Sequence, residues 1–159
     1  ETEAAEPEET AAPVPHPHHD APAVEPGKVH VLYVEDNPTN VKLMQAVLDT
    51  CGGYFLESAE TAEIGLELAR ARRPQIIIMD INLPGMSGVE AMARIKDDPV
   101  LRDIPVIALS ANAMPTDISR AMSEGFRRYL TKPVSIDVIE TTLAEVLDPA
   151  EAPADSADA

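Results

Sequence analysis

Residues 76–88 read I-I-I-M-D-I-N-L-P-G-M-S-G. Ile76, Ile77, Ile78 and Met79 run without interruption into Asp80, and a loop carrying Pro84, Gly85 and Gly88 follows. A short continuous apolar run bounded by turn residues is the pattern of a strand buried on both faces. A carboxylate at the end of such a strand is costly to desolvate unless it is paired or bound to a metal. A lone aspartate at a strand end is more often a turn former or helix cap. The rest of the chain must therefore supply partners for Asp80, or the acid is only a loop residue.

On the N-terminal side, Val29–Val34 is a valine-rich strand candidate. Pro38 then sits where a first-turn proline is tolerated, and Val41, Met44, Leu48 and Cys51 recur at helical spacing up to Gly52-Gly53. Tyr54–Leu56 is a weaker strand, and a helix from Glu60 to Arg72 places Ile64, Leu68 and Ala71 on one side. Pro74 resets the chain before the strand Gln75–Met79. On the C-terminal side, Gly88–Lys96 reads as a helix with Val89, Met92 and Ile95 inward, and Ile104–Leu109 as a strand. Asp117–Glu124 is a short helix closed by Gly125, and Arg127–Leu130 a last strand. Ser135 is a good N-cap for a final helix marked by Ile136, Ile139, Leu143 and Val146. Cys51 is expected in the core, and Met79, Met86, Met92 and Met114 in core or loop.

Five strand–helix pairs with nearly continuous apolar strands imply a parallel sheet covered on both faces. Right-handed crossovers then force an α/β, doubly wound, five-stranded sheet with five helices. The flavodoxin-like order 2-1-3-4-5 is the default at this size, and ligands should sit beyond the carboxyl ends of the central strands.

Those ends are where the polar residues fall. The first strand ends in Glu35-Asp36, the third in Asp80, the fourth in Ser110 and the fifth in Lys132. Glu35-Asp36 alone could cap a helix, and Lys132 alone could be a solvated surface residue; the agreement of four strands is hard to ascribe to capping. Three carboxylates about 4 Å apart would repel by roughly 4 kcal/mol per pair at an effective dielectric near 20, so something must neutralise them. A lysine offers one positive charge and a divalent cation two. Hard oxygen donors in this number suit Mg²⁺, which keeps waters and accepts phosphate oxygens. A carboxylate beside Mg²⁺, an ammonium and a hydroxyl is equipped to take a phosphoryl group as an acyl phosphate.

Composition narrows the classes. Residues 1–27 hold seven acids and six of the fifteen prolines with no Lys or Arg, and residues 148–159 add four acids and two prolines. Without these two segments 17 acids face 12 bases, so the net charge of −16 falls to −5 and the acidity belongs mostly to the ends. Both Pro/Ala/Glu segments are expected to be disordered, since they cannot bury enough apolar surface to offset chain entropy. The acidity argues against nonspecific nucleic-acid or anionic-membrane binding. No apolar run reaches membrane-spanning length, and no signal-peptide pattern is present. The single Cys51 suits a reducing compartment. The start at Glu1 suggests a chain either processed or cut from something longer, its acidic Pro-rich lead-in more like an interdomain linker. His16, His18 and His19 within it are read as incidental, not as a metal site.

The stretches V-L-Y-V-E-D-N, I-I-I-M-D-I-N-L-P-G-M-S-G, I-P-V-I-A-L-S-A-N-A-M and Y-L-T-K-P-V together resemble the receiver domain of two-component response regulators over residues 28–147. The wording is most like the C-terminal receiver of a hybrid histidine kinase or a single-domain response regulator. The resemblance implies that Asp80 is the phosphoacceptor, that Asp36 and Asp80 bind Mg²⁺ directly with Glu35 acting through water, and that Asn82 supplies a backbone carbonyl to the metal. It further implies that Lys132 binds phosphate, with its bond to Pro133 cis, that Ser110 is the switch hydroxyl and Tyr129 the aromatic switch. Ala111 and Asn112 border the phosphate access. The departures are Ser where Thr is also common at 110, Glu as the first acid, and Thr61-Ala62 before the second helix; none removes a catalytic group.

The implied role is a cytoplasmic phosphorelay component that catalyses only its own phosphorylation and dephosphorylation and is not a turnover enzyme. Its implied partners are a histidine kinase, in cis or in trans, and a histidine phosphotransfer protein, docking around Asp117–Leu147, where Arg127 and Arg128 could meet an acidic surface. No DNA-binding helix-turn-helix follows Leu147, so transcriptional output is not expected from this chain. The alternative is a phosphorylation-independent interaction module, which the intact acid pocket argues against. An aspartyl phosphatase is disfavoured because Asn82 stands where a second acid is usually wanted.

Overall fold

A computed structural model describes residues 27–112 and 114–147. The acidic end segments expected to be disordered lie outside these residues apart from Gly27, as do His16, His18 and His19. Five strands and five helices alternate: β1 (Val29–Val34), α1 (Pro38–Cys51), β2 (Tyr54–Ala59), α2 (Ala62–Arg72), β3 (Ile76–Asp80), α3 (Gly88–Asp97), β4 (Val106–Ser110), α4 (Pro115–Glu124), β5 (Arg128–Thr131) and α5 (Ile136–Leu147). All strand pairs are parallel and the order is β2-β1-β3-β4-β5, as expected.

Strand alternation splits the core into two layers. Val31, Tyr33, Ile76, Ile78, Ile107 and Leu109 meet Met44 and Leu48 of α1 and Ile139, Leu143 and Val146 of α5. Leu32, Val34, Ile77, Met79, Val106 and Ala108 face the other way, onto Leu66 and Ala69 of α2, Met92 and Ile95 of α3 and Ala121 of α4. Every residue of β3 and β4 is buried, which is why the stretch at 76–80 reads as unbroken hydrophobicity. Among the described residues no helix is long and apolar enough to cross a membrane.

Several elements differ from expectation. β4 starts at Val106, two residues late, because Pro105 has no N–H to give a ladder. α4 starts at Pro115, where a first-turn proline needs no N–H partner. β2 continues to Ala59, paired with β1 along its whole length. α2 buries Ala62, Gly65, Leu66, Leu68 and Ala69, whereas Ile64 and Ala71 are exposed. Gly65 sets that rotation: a Cβ there would stand 2.7 Å from Val34 Cγ2, so the helix presses its glycine onto β1 and turns Ile64 outward. Ile136 is likewise exposed on α5, Met114 is exposed, and Cys51 is half-buried, its thiol pushed up by burial and by Glu140 and Asp137.

Candidate functional site

The carboxyl edge of the sheet gathers Glu35, Asp36, Asp80, Ser110 and Lys132. Glu35 and Asp80 are 2 % and 4 % exposed, while Asp36 faces solvent. One oxygen from each of these three acids lies within 4.8 Å of the others. Lys132 follows β5 directly, and its Nζ donates to Glu35 Oε2 and to Asp80 Oδ2, both at 2.8 Å. The Lys132–Pro133 bond is cis.

Alternation explains who meets whom. Glu35 continues the Val31–Tyr33 side of β1 and Asp80 the Ile76–Ile78 side of β3, so both lean to the α1/α5 face. Tyr33 OH donates to Glu35 Oε2 at 3.1 Å, while Asn40 Nδ2 and the Asn37 N–H reach Glu35 Oε1 at 3.3 and 3.2 Å. Ser110 continues the Val106–Ala108 side, toward α4. It is 2 % exposed, and its Oγ accepts from Asn82 Nδ2 at 3.2 Å and from the Asn112 N–H at 3.1 Å. The Asn82 N–H donates to Asp80 Oδ1 at 2.9 Å. Tyr129 is half-buried and its hydroxyl donates to the Asn112 carbonyl. Ala111 and Asn112 are exposed at the rim.

The electrostatics follow from burial and one cation. Burial pushes the Asp80 carboxyl up, and the Glu35 charge adds to that; the Lys132 ammonium and the Asn82 N–H oppose without cancelling it, so Asp80 stays above the usual aspartate value. Burial would raise Glu35 too, but Lys132, Asn40 and the Asn37 N–H outweigh it and hold that carboxyl low. Burial lowers the Lys132 ammonium less than its two carboxylates raise it, so it stays charged. Burial, then Glu35, pushes the Tyr33 phenol far up, leaving it a firm donor.

Two supports of this site escaped the sequence reading. Tyr33 looks like a core aromatic, yet it stands two residues before Glu35 on the same strand face, and that spacing was the available signal. Gly88 opens α3, donates its N–H to Ile81 O at 3.1 Å, and would place a Cβ 2.7 Å from Asp80 O and 2.8 Å from Ile81 Cα. Those neighbours are backbone and cannot step aside. Gly88→Val is therefore expected to cost about 1–3 kcal/mol by overpacking, read as a lower urea midpoint at unchanged slope. An unchanged midpoint would show that the Asp80–Ile81 backbone yields freely.

The family model for the response regulator receiver domain matches residues 31–144. The chain belongs to that family. This receiver is 40 % identical over 117 residues to the polar-differentiation response regulator DivK of Brucella anthropi, a match covering 74 % of the chain and 94 % of that relative. Its fold superposes on the chemotaxis response regulator CheY4 of Vibrio cholerae with a TM-score of 0.69 at 25 % identity, covering 75 % and 98 % of the two chains. The receiver domain of sensor histidine kinase PA1611 from Pseudomonas aeruginosa PAO1 is similar at 30 % identity and a TM-score of 0.65, covering 77 % and 96 %. That structure is described with a magnesium ion coordinated in its active-site cleft.

Proposed function

We propose that this receiver, spanning residues 28–147, takes a phosphoryl group from a phosphohistidine onto Asp80 and changes conformation to control partner binding. The observation that carries the reading is the Lys132 ammonium, 2.8 Å from Asp80 and 2.8 Å from Glu35, at the end of the central strand. A buried carboxylate is held there with a cation beside it to meet the incoming oxygens.

In the transfer, an Asp80 carboxylate oxygen forms a bond to phosphorus as the P–N bond to the donor imidazole breaks. The electron pair of that bond leaves with the imidazole nitrogen, and an acyl phosphate remains. Lys132 pairs with the phosphoryl oxygens in place of its bond to Asp80. The Ser110 hydroxyl donates to another of those oxygens, and exposed Ala111 and Asn112 leave the approach open. Tyr129 is the aromatic that follows Ser110. The donor set also fits Mg²⁺: three hard carboxylates within 4.8 Å, one of them exposed, carry more charge than one ammonium neutralises. Asp36 and Asp80, with Glu35 through water and the Asn82 carbonyl, would hold the ion, which when bound neutralises charge on the phosphoryl oxygens.

The receiver catalyses only its own phosphorylation and dephosphorylation, in the cytoplasm, with a histidine kinase and a histidine phosphotransfer protein as partners. Residues 117–147 are the docking face. Exposed Met122, Ile136 and Val138 within this segment support this, as do exposed Arg127 and Arg128. The test is to add Mg²⁺ and acetyl phosphate and follow intact mass, with Asp80→Asn as control. Phosphoryl uptake by the wild type alone is expected; no uptake by the wild type, or equal uptake by the variant, defeats the reading.

A further inference from the structure

We propose that Asn82 and Asn112 clamp the Ser110 hydroxyl in the unphosphorylated receiver, which makes the Asn82 carboxamide a positioning residue for the switch. The inference rests on the phosphoacceptor reading of Asp80 and specifies how that site is restrained. Ser110 Oγ has two acceptor lone pairs. Asn82 Nδ2 at 3.2 Å and the Asn112 N–H at 3.1 Å occupy both. Both donors hold the oxygen on the α4 side of the sheet, whereas Asp80 continues the α1/α5 side. A hydroxyl drawn toward a phosphoryl group on Asp80 leaves these donors behind.

Each clamp residue is tied to a second group that the departure disturbs. The Asn82 N–H is bonded to Asp80 Oδ1 at 2.9 Å, so one residue bridges the acceptor carboxylate and the hydroxyl. Asn112 fastens the start of α4: its Nδ2 donates to Asp117 Oδ2 at 2.6 Å and its Oδ1 accepts from the Met114 N–H at 3.1 Å. Its carbonyl takes the Tyr129 hydroxyl. Beside Ser110 lies a cavity of about 130 Å³ bordered by Asn82, Val89, Asn112, Ala121 and Tyr129. Movement of Ser110 thus frees the Asn112 N–H and enlarges a space that Tyr129 already borders. The α4 surface is coupled to the phosphoryl site through one asparagine.

A hydrogen bond made only in the unphosphorylated state biases the switch by its net strength, a factor of about three to ten. Beryllofluoride, a phosphoryl mimic, is titrated at saturating Mg²⁺ into wild type, Asn82→Ala, Ser110→Ala and the double variant, followed by α4 amide NMR shifts. Asn82→Ala is expected to tighten beryllofluoride about three- to tenfold, and to change it less than about twofold in the Ser110→Ala background. Asn112→Ala, which keeps its backbone N–H, is expected to move the free-state α4 signals toward their bound positions. Unchanged or weaker beryllofluoride binding by Asn82→Ala, or an equal effect in both backgrounds, overturns the Asn82 clamp; unmoved α4 signals overturn the Asn112 link. Failure of the wild type to bind, or full binding by Asp80→Asn, instead defeats the phosphoacceptor reading and this inference with it.

Discussion

Asp80→Asn protein is expected to take up no phosphoryl group and yet to melt about 2–5 °C higher than the wild type in Mg²⁺-free buffer at neutral pH. The loss follows from the chemistry, since an amide oxygen is no substitute for a carboxylate nucleophile. The gain follows from what the fold does to the charge. Burial and the neighbouring Glu35 raise the Asp80 carboxyl above its ordinary value even after Lys132 and the Asn82 N–H have opposed them. An acid whose folded value is raised binds its proton more tightly in the folded state. Its contribution to stability is full below the unfolded value and is lost as pH rises through the folded one, so a penalty is present at neutral pH. Asparagine carries none of it, still accepts from the Asn82 N–H, and leaves the Lys132 ammonium paired with Glu35 at 2.8 Å.

Glu35 works in the opposite sense. Its lowered value gives stability above the ordinary carboxylate range that is lost only as pH falls through the folded value, and the variant retains that term. The difference in melting temperature between variant and wild type should therefore open as pH climbs from about 4 toward 7. Saturating Mg²⁺ should narrow it, because an ion that binds the folded wild type more tightly stabilises it more. Differential scanning calorimetry across that pH range checks both claims. A difference that stays flat with pH, or a variant that melts lower throughout, would falsify the electrostatic account while leaving the phosphorylation result untouched.

How much of this was legible depended on whether the deciding signal was local. Ile76–Met79 announces a central strand because burial on both faces leaves no polar position in it. Ser135 announces the start of α5 because an N-cap is chemistry within three residues, and its Oγ does accept the Val138 N–H at 3.3 Å. The carboxyl-edge residues were legible together because a parallel sheet aligns all its strand ends. The face of α2 was not. Ile64, Leu68 and Ala71 satisfy helical spacing as well as the buried set does, and only the approach of Gly65 to Val34 selects between them. A glycine adds nothing to a hydrophobic pattern, so its packing role is silent until the partner strand is placed. The same holds for the side chain of Asn82: the family resemblance implies only a backbone carbonyl there, whereas its carboxamide's bond to Ser110, 28 positions away, exists only once β3 and β4 are paired. Contacts between strand ends are set by register, and register is a property of the whole sheet.

Lys132→Ala should do the second-largest damage, and on both fronts at once. Its ammonium is the cation that the structure places between Glu35 and Asp80, with its side chain 22 % exposed. Removing one partner of a buried ion pair typically costs about 3–5 kcal/mol because the other charge is left uncompensated. Partial exposure of the lysine lets water replace some of that, so about 2–3 kcal/mol is expected here. The two carboxylates are then left to repel each other, and both should titrate higher than in the wild type. The stability loss should therefore grow as pH rises above the ordinary carboxylate range and shrink in acid. Phosphoryl transfer should slow by about 10²–10³, the usual effect of deleting one group that meets developing charge. Lys132→Arg separates the two roles. A guanidinium restores the charge between the acids but presents it as a planar fork in place of a point charge. It is expected to recover most of the stability and less than about a tenth of the rate. Acetyl phosphate uptake rates and urea denaturation of the three proteins measure these quantities. Lys132→Ala that is phosphorylated within about tenfold of the wild type would mean that the acids, and not the lysine, organise the phosphoryl oxygens.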